Sequence, residues 1–269
     1  MPAGSSCLRL AQRFGSFGTR VLAVACLAAL SGCLGGCDGS TTAGMDAGAV
    51  PVDASPATDA RPNPVRILLL GDSLTLGYGS ASEGAGSEGG YRIRLAELLA
   101  EAGIDFDFVG SQSHGPDTLG DRDHEGHNGF AISQIAELTD EAIDAFEPDV
   151  ILLMAGTNDQ IEFVPPSQPP EGAAADLARL VEQIQARRPG VQLVVAQVIP
   201  LTHNDEGVTA YNALLPAIVS EAGANVRLVD MYAIGTELLS SDGIHPTAEG
   251  YGRIAELWFP ALRAAVDEL

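Results

Sequence analysis

Ser73 stands in Gly71-Asp72-Ser73-Leu74 and Asn158 in Gly156-Thr157-Asn158-Asp159. Asp242 and His245 stand three residues apart in Asp242-Gly243-Ile244-His245-Pro246. Between them these residue types can carry out acyl transfer. A serine hydroxyl attacks poorly until a base takes its proton. His245 can be that base, and Asp242 can hold its imidazole in the required tautomer. The oxyanion formed on attack needs donors aimed at one point. The backbone N–H of Ser73, the backbone N–H of Gly129 in Gly126-His127-Asn128-Gly129-Phe130, and the side-chain amide of Asn158 can supply three.

Such residues must be brought together by the elements that carry them. Val65–Leu70, Asp105–Val109, Val150–Ala155, Val191–Val198 and Val226–Asp230 are short, apolar runs that predict strands. Helical stripes lie between and after them. Tyr91, Leu95, Leu98, Leu99 and Ala102 share one face, with Gly103 as a stop, and Ile132, Ile135, Ile143 and Phe146 share a second. Leu177, Leu180, Val181 and Ile184 form a third stripe, ended by Pro189-Gly190. Tyr211, Leu215, Ile218 and Val219 form a fourth, which Pro216 is expected to kink or shorten. Tyr251, Ile254, Ala255 and Trp258 form a fifth, which Pro260 is expected to break or bend. This alternation predicts a parallel α/β sheet covered on both faces, three layers in all. Active sites of such sheets lie at the carboxyl ends of the strands. The four chemical segments follow the first strand, precede the second helix, follow the third strand and precede the last helix, so they can meet at one edge.

In this order the four segments resemble the blocks of the SGNH (GDSL) hydrolase superfamily. Gly71-Asp72-Ser73-Leu74 is similar to the nucleophile block, Gly129 to the glycine block, Asn158 to the asparagine block, and Asp242-x-x-His245 to the final block. The resemblance covers residues 65–269 and implies a flavodoxin-like fold with a five-stranded parallel sheet. A narrower resemblance runs through Gly89-Gly90-Tyr91-Arg92-Ile93-Arg94-Leu95, Phe108-Val109-Gly110-Ser111-Gln112 and His124-Glu125-Gly126-His127-Asn128-Gly129-Phe130. These are similar to segments of the third carbohydrate-esterase family, mainly acetyl xylan esterases. Asn128 stands where that family commonly has Ser, and Phe130 where it commonly has Trp. Both flank the oxyanion glycine, so they bear on the substrate rather than the reaction. The expected activity is a Ser-His-Asp esterase that removes O-acetyl groups from a neutral polysaccharide or oligosaccharide such as xylan. It needs no metal and no organic cofactor. The rivals are a lipid-directed esterase, lysophospholipase or thioesterase on the same scaffold, and a non-catalytic carbohydrate-binding surface lipoprotein.

The charge narrows the partners. Of 269 residues 36 are Asp or Glu; the 14 basic residues are all Arg, and the net charge is -22. Arg9, Arg13 and Arg20 precede every acidic residue, so the remainder sets 11 Arg against 36 acids. Such a body repels phosphate backbones and anionic headgroups, which excludes nucleic acid and disfavours polyanionic substrates.

The same three Arg form a positive region ahead of the apolar run Val21–Leu30. A membrane span needs ~20 apolar residues, so residues 1–32 predict an export signal rather than an anchor helix. Leu30-Ser31-Gly32-Cys33 resembles a bacterial lipobox, which implies cleavage before Cys33 and lipidation there. Leu34-Gly35-Gly36-Cys37 is a poorer second candidate, and ordinary secretion is the alternative. Either way the mature protein is expected outside the cytoplasm, touching a membrane only through a lipid anchor. Residues 33–64 lack apolar periodicity and predict a flexible tether, leaving 65–269 as the catalytic domain. Cys7, Cys26, Cys33 and Cys37 are the only cysteines, so the domain must stand on its own core.

Other chemistry-bearing residues have blander expectations. Asp72 and Asp159 predict turn carboxylates. His124, Glu125 and His127 do not have metalloprotease spacing and predict a loop wall near Gly129. Asp117, Asp121, Asp123 and Glu125 match no calcium loop and predict a solvated acidic loop. Gly77–Gly90 predicts a mobile flap beside the site. Phe163, among Pro165, Pro166, Pro169 and Pro170, is a candidate for stacking on a sugar or for plugging its own loop.

Overall fold

A computed structural model describes residues 63–79, 88–161, 165 and 167–269. The expected leader, Cys33, most of the tether, the middle of the Gly77–Gly90 segment and Phe163 lie outside the described residues.

Strand β1 (Val65–Gly71) lies in mid-sheet and is buried on both faces, which is why its sequence is a continuous apolar run rather than an alternating one. It pairs in parallel with β2 (Phe106–Val109) on one edge and with β5 (Val150–Met154) on the other. The sheet continues, still parallel, through β6 (Gln192–Ala196) to β7 (Val226–Val229). These are the five expected strands, in spatial order β2-β1-β5-β6-β7.

Two more strands were not expected. β4 (Asp123–Gly126) takes over from β2 along the upper half of β1, pairing Leu70 with Glu125 and Gly71 with Gly126. β3 (Gln112–Ser113) pairs antiparallel with β4. The handover needs Gly110, because a Cβ there would lie 2.1 Å from the His124 backbone carbon. The segment expected as a loop wall is thus partly a strand of the sheet.

Side chains alternate along the strands with period two. Leu68, Leu70, Ile151, Leu153, Leu193 and Val195 face one layer, built on α3 (Ile132–Phe146), α4 (Pro170–Arg187) and α5 (Asp205–Ala222). Ile67, Leu69, Leu152, Met154 and Val194 face the other, built on α2 (Tyr91–Glu101) and α6 (Ala248–Val266). Each large apolar side chain fully buried in this way contributes roughly 1.5–3 kcal/mol.

Of the two proline expectations, the shortening and the break need correction. α5 is not shortened at Pro216 and α6 is not broken at Pro260. Pro216 has no N–H to give the carbonyl of Asn212. The side-chain amide of Gln197 gives it one instead, at 3.1 Å. Beyond Pro260, Leu262 and Ala265 are fully buried, so packing holds the last turns in place.

Candidate active site

The chain leaves β1 through Gly71, where a Cβ would lie 2.5 Å from the carbonyl oxygen of Met154. Asp72 then caps the short helix α1 (Ser73–Leu76), its Oδ1 accepting from the N–H of Leu74 at 2.9 Å. Ser73 opens that helix. Among the described residues its backbone N–H meets no acceptor. Gly77, at φ +89°, ends the helix in the left-handed conformation.

His245 and Asp242 come from the loop before α6. Ser240 N–H donates to the His245 carbonyl at 2.7 Å and Gly243 N–H to the Ser240 carbonyl at 3.0 Å, which folds the loop tightly. Asp242 Oδ1 accepts from Ser240 Oγ at 2.8 Å and from the N–H groups of Ile244 and His245, each at 2.9 Å. Its Oδ2 lies 2.7 Å from His245 Nδ1, and His245 Nε2 lies 3.0 Å from Ser73 Oγ. Burial pushes the Asp242 carboxyl up, but the hydrogen bonds from His245, Ile244 and Ser240 outweigh it and hold the group well below the usual carboxylate range. An ionised Asp242 can only accept, so Nδ1 carries the proton and Nε2 is left as an acceptor for the serine hydroxyl. The arrangement can therefore remove the Ser73 proton.

The proposed donors converge from other elements. His127 N–H donates to the Gly71 carbonyl at 3.0 Å, stitching the loop after β4 to the end of β1. Phe130 N–H donates back to His127, and Gly129 between them sits at φ +79°, a conformation that favours glycine. The Gly129 N–H has no acceptor among the described residues. Asn158, on the turn after β5, is placed beside it, but its amide is not idle. Nδ2 donates to the Phe130 carbonyl at 2.9 Å and, more weakly, to Asp72 Oδ2 at 3.4 Å. The long second bond is the one a substrate oxygen can replace.

Asp72 holds the turn that opens α1, as expected, whereas the Asp159 carboxylate ties its turn to other segments. Asp159 accepts from Ile132 N–H at 3.0 Å and from the Gln168 amide at 2.7 Å. His124 is buried. Burial pushes its pKa down to about 2, its Nδ1 accepts from Gly126 N–H, and its other nitrogen lies 3.2 Å from His114 Nδ1. His127 lies 2.6 Å from Glu125 and stacks on Phe130, so it does form a wall beside Gly129. Among the described residues no three His, Cys, Asp or Glu side chains converge as metal ligands. Asp121 and Glu125 are not free acidic-loop carboxylates; they accept from the N–H groups of Phe108 and Ser111.

Two supporting residues had no role in the sequence reading. Arg92 is fully buried and donates only to backbone carbonyls, those of Thr75, Leu76, Glu88 and Arg122. It thus satisfies the open carbonyl end of the helix that carries Ser73. Its place in Gly89-Gly90-Tyr91-Arg92 was the only signal. Tyr78 lies against His245, and no pattern in the sequence marked it.

The order and chemistry of this site agree with a match to known proteins. Residues 69–253 match the family described as GDSL-like lipase/acylhydrolase. The chain belongs to that family. A family 3 carbohydrate esterase of Clostridium thermocellum is 35% identical, with a TM-score of 0.66, covering 76% of this chain and 98% of its own. One from Talaromyces cellulolyticus is 27% identical, with a TM-score of 0.65, covering 76% of this chain and 99% of its own. A multidomain esterase of Ruminococcus flavefaciens is 26% identical over 236 residues, 76% of this chain. The chain spans 29% of that curated relative's length. The GDSL-like family member described here therefore aligns over nearly the whole length of those two solved esterase chains.

Proposed function

We propose that this GDSL-like protein is an exported serine esterase that removes O-acetyl groups from a neutral polysaccharide such as xylan. The observation that carries the reading is the hydrogen-bonded row from Ser73 through His245 to Asp242, on a scaffold similar to family 3 carbohydrate esterases.

In the first step Ser73 Oγ bonds to the acetyl carbonyl carbon while His245 Nε2 takes the hydroxyl proton. The carbonyl becomes an oxyanion facing the N–H groups of Ser73 and Gly129 and the Asn158 amide. The intermediate collapses by breaking the bond to the sugar oxygen, which takes the proton from Nε2. That leaves an acetyl group on Ser73. His245 then takes a proton from water, the water oxygen attacks the acetyl carbon, and acetate leaves as the proton returns to Ser73. Asp242 stays ionised throughout and stabilises the imidazolium. The net charge of -22 favours a neutral polymer over an anionic one. The lipobox-like Leu30-Ser31-Gly32-Cys33 supports export and attachment through a lipid on Cys33.

The test is a substrate panel: acetylated xylan, acetylated pectin, chitin oligomers, and p-nitrophenyl esters from acetate to octanoate. Release of acetate from xylan and a steep fall from acetate to octanoate are expected. A preference for octanoate contradicts the reading and favours a lipid-directed esterase.

A further inference from the structure

Tyr78 takes no part in the reaction steps above, yet its ring centroid lies 4.7 Å from that of His245, tilted by 49°. It is 42% exposed, and among the described residues only Leu269 is a comparably exposed large apolar side chain. An exposed ring is not kept in place by burial, so its backbone must hold it. Tyr78 N–H donates to the Ser73 carbonyl at 2.9 Å. Its own carbonyl accepts from the hydroxyl of Tyr251 at 2.8 Å, and Tyr251 is a buried residue of α6. The adjoining backbone is pinned as well. A Cβ on Gly77 would lie 2.3 Å from the nitrogen of Gly90, so the two ends of the Gly77–Gly90 segment touch there. The fold therefore presents an aromatic face to solvent at the flank of the base.

The reaction decides what that flank meets. His245 must hand its proton to the departing sugar oxygen, so the leaving group lies on the His245 side. The acetyl carbonyl oxygen points the other way, toward Gly129 and Asn158. A side chain beside His245 thus meets the sugar and not the acyl group. The C–H face of a pyranose packs well on an aromatic ring and carries no net charge. We infer that Tyr78 is the stacking platform for the sugar ring that bears the ester, an inference that rests on the polysaccharide reading above.

The experiment compares kcat/KM for acetylated xylo-oligosaccharide with that for ethyl acetate, whose leaving group has no ring to stack. Tyr78→Ala and Tyr78→Leu should lower the oligosaccharide-to-ethyl-acetate ratio roughly tenfold, mainly through KM. Tyr78→Phe should keep the ratio within about twofold of the parent, because the π face remains. The acetate-to-butyrate preference should not move in any variant. An equal loss on both substrates through kcat overturns the inference and leaves Tyr78 as a brace for His245. An unchanged ratio overturns it too. A parent enzyme that cleaves ethyl acetate but no acetylated oligosaccharide overturns the substrate reading itself, and the platform with it.

Discussion

Asp72 Oδ2 lies 3.4 Å from the side-chain amide of Asn158, although the two residues follow different strands of the sheet. The carboxylate next to the nucleophile is therefore linked to a proposed oxyanion donor. Asp72 is wholly buried, and burial pushes its pKa up to about 7 against the pull of the Leu74 N–H.

This sets a pH dependence of stability. In the unfolded chain Asp72 ionises near its ordinary value of 3.8, and in the fold near about 7. Below the lower value it is protonated in both states, so nothing is lost. Between the two the unfolded state gives up its proton first, and stability falls as pH rises through that window. Asp72→Asn cannot ionise and still offers an acceptor to Leu74. The Tm of the variant, relative to the parent, should climb between pH 4 and pH 7. A pH-independent offset would count against the buried-acid account.

Asn158 carries two duties, and they separate on substitution. Asn158→Ala should lower kcat by ~10²–10³ with little change in KM, since the donor acts on the oxyanion and not on the ground-state carbonyl. It should also strip the Phe130 carbonyl of its donor, costing about 1 kcal/mol, or roughly 2–4 °C in Tm. Asn158→Asp puts a charge beside both that carbonyl and the developing oxyanion, so it should be at least as damaging. A lowered Tm with kcat nearly preserved would leave Ser73 and Gly129 as the only donors.

Arg92 is the clearest stability determinant around the site. Burial lowers its pKa to about 10, so it is still charged at neutral pH, and four backbone carbonyls surround it. Arg92→Met leaves the carbonyls of Thr75, Leu76 and Glu88 without its donors, while that of Arg122 keeps the N–H of His114, and should cost on the order of 3 kcal/mol or more. Arg92→Lys should rescue only part of this, because one ammonium cannot reproduce the planar fork. Urea unfolding of both variants checks it; a Lys variant as stable as the parent would contradict the geometric argument.

The tautomer argument has its own test. Asp242→Asn keeps an acceptor for the Ile244 and His245 N–H groups, so the loop should fold normally. Its amide can instead donate to Nδ1, which turns Nε2 into a donor facing Ser73. A kcat loss on the order of 10³–10⁴ with nearly unchanged Tm is expected. Activity within tenfold of the parent would mean that Asp242 does not set the tautomer.

Much of this was legible in the sequence, for a physical reason. Strands buried on both faces must be apolar runs, so β1, β5 and β6 could be read directly, and the residues just after them lie at one sheet edge. Ser73 and Asn158 were found by asking what occupies those places, and Asp242 and His245 by asking what precedes the last helix. β4 could not be found that way. Asp123–Gly126 is polar, and it is a strand only because β2 ends early and leaves the upper half of β1 unpaired. Pro216 misled because the donor that replaces its missing N–H, Gln197, comes from a different element. The roles of Arg92 and Tyr78 rest on contacts with the distant Arg122, Tyr251 and His245, which the sequence around them does not show.

The central claim is that Ser73 attacks the ester, and Ser73→Ala tests it most directly. Alanine keeps the backbone N–H proposed for the oxyanion and removes only the oxygen that lies 3.0 Å from His245 Nε2. With kcat measured on acetylated xylo-oligosaccharide and p-nitrophenyl acetate, and Tm measured alongside, the account predicts a fall of at least ~10³–10⁴ on both substrates at an essentially unchanged Tm. Activity within tenfold of the parent on either substrate would contradict it.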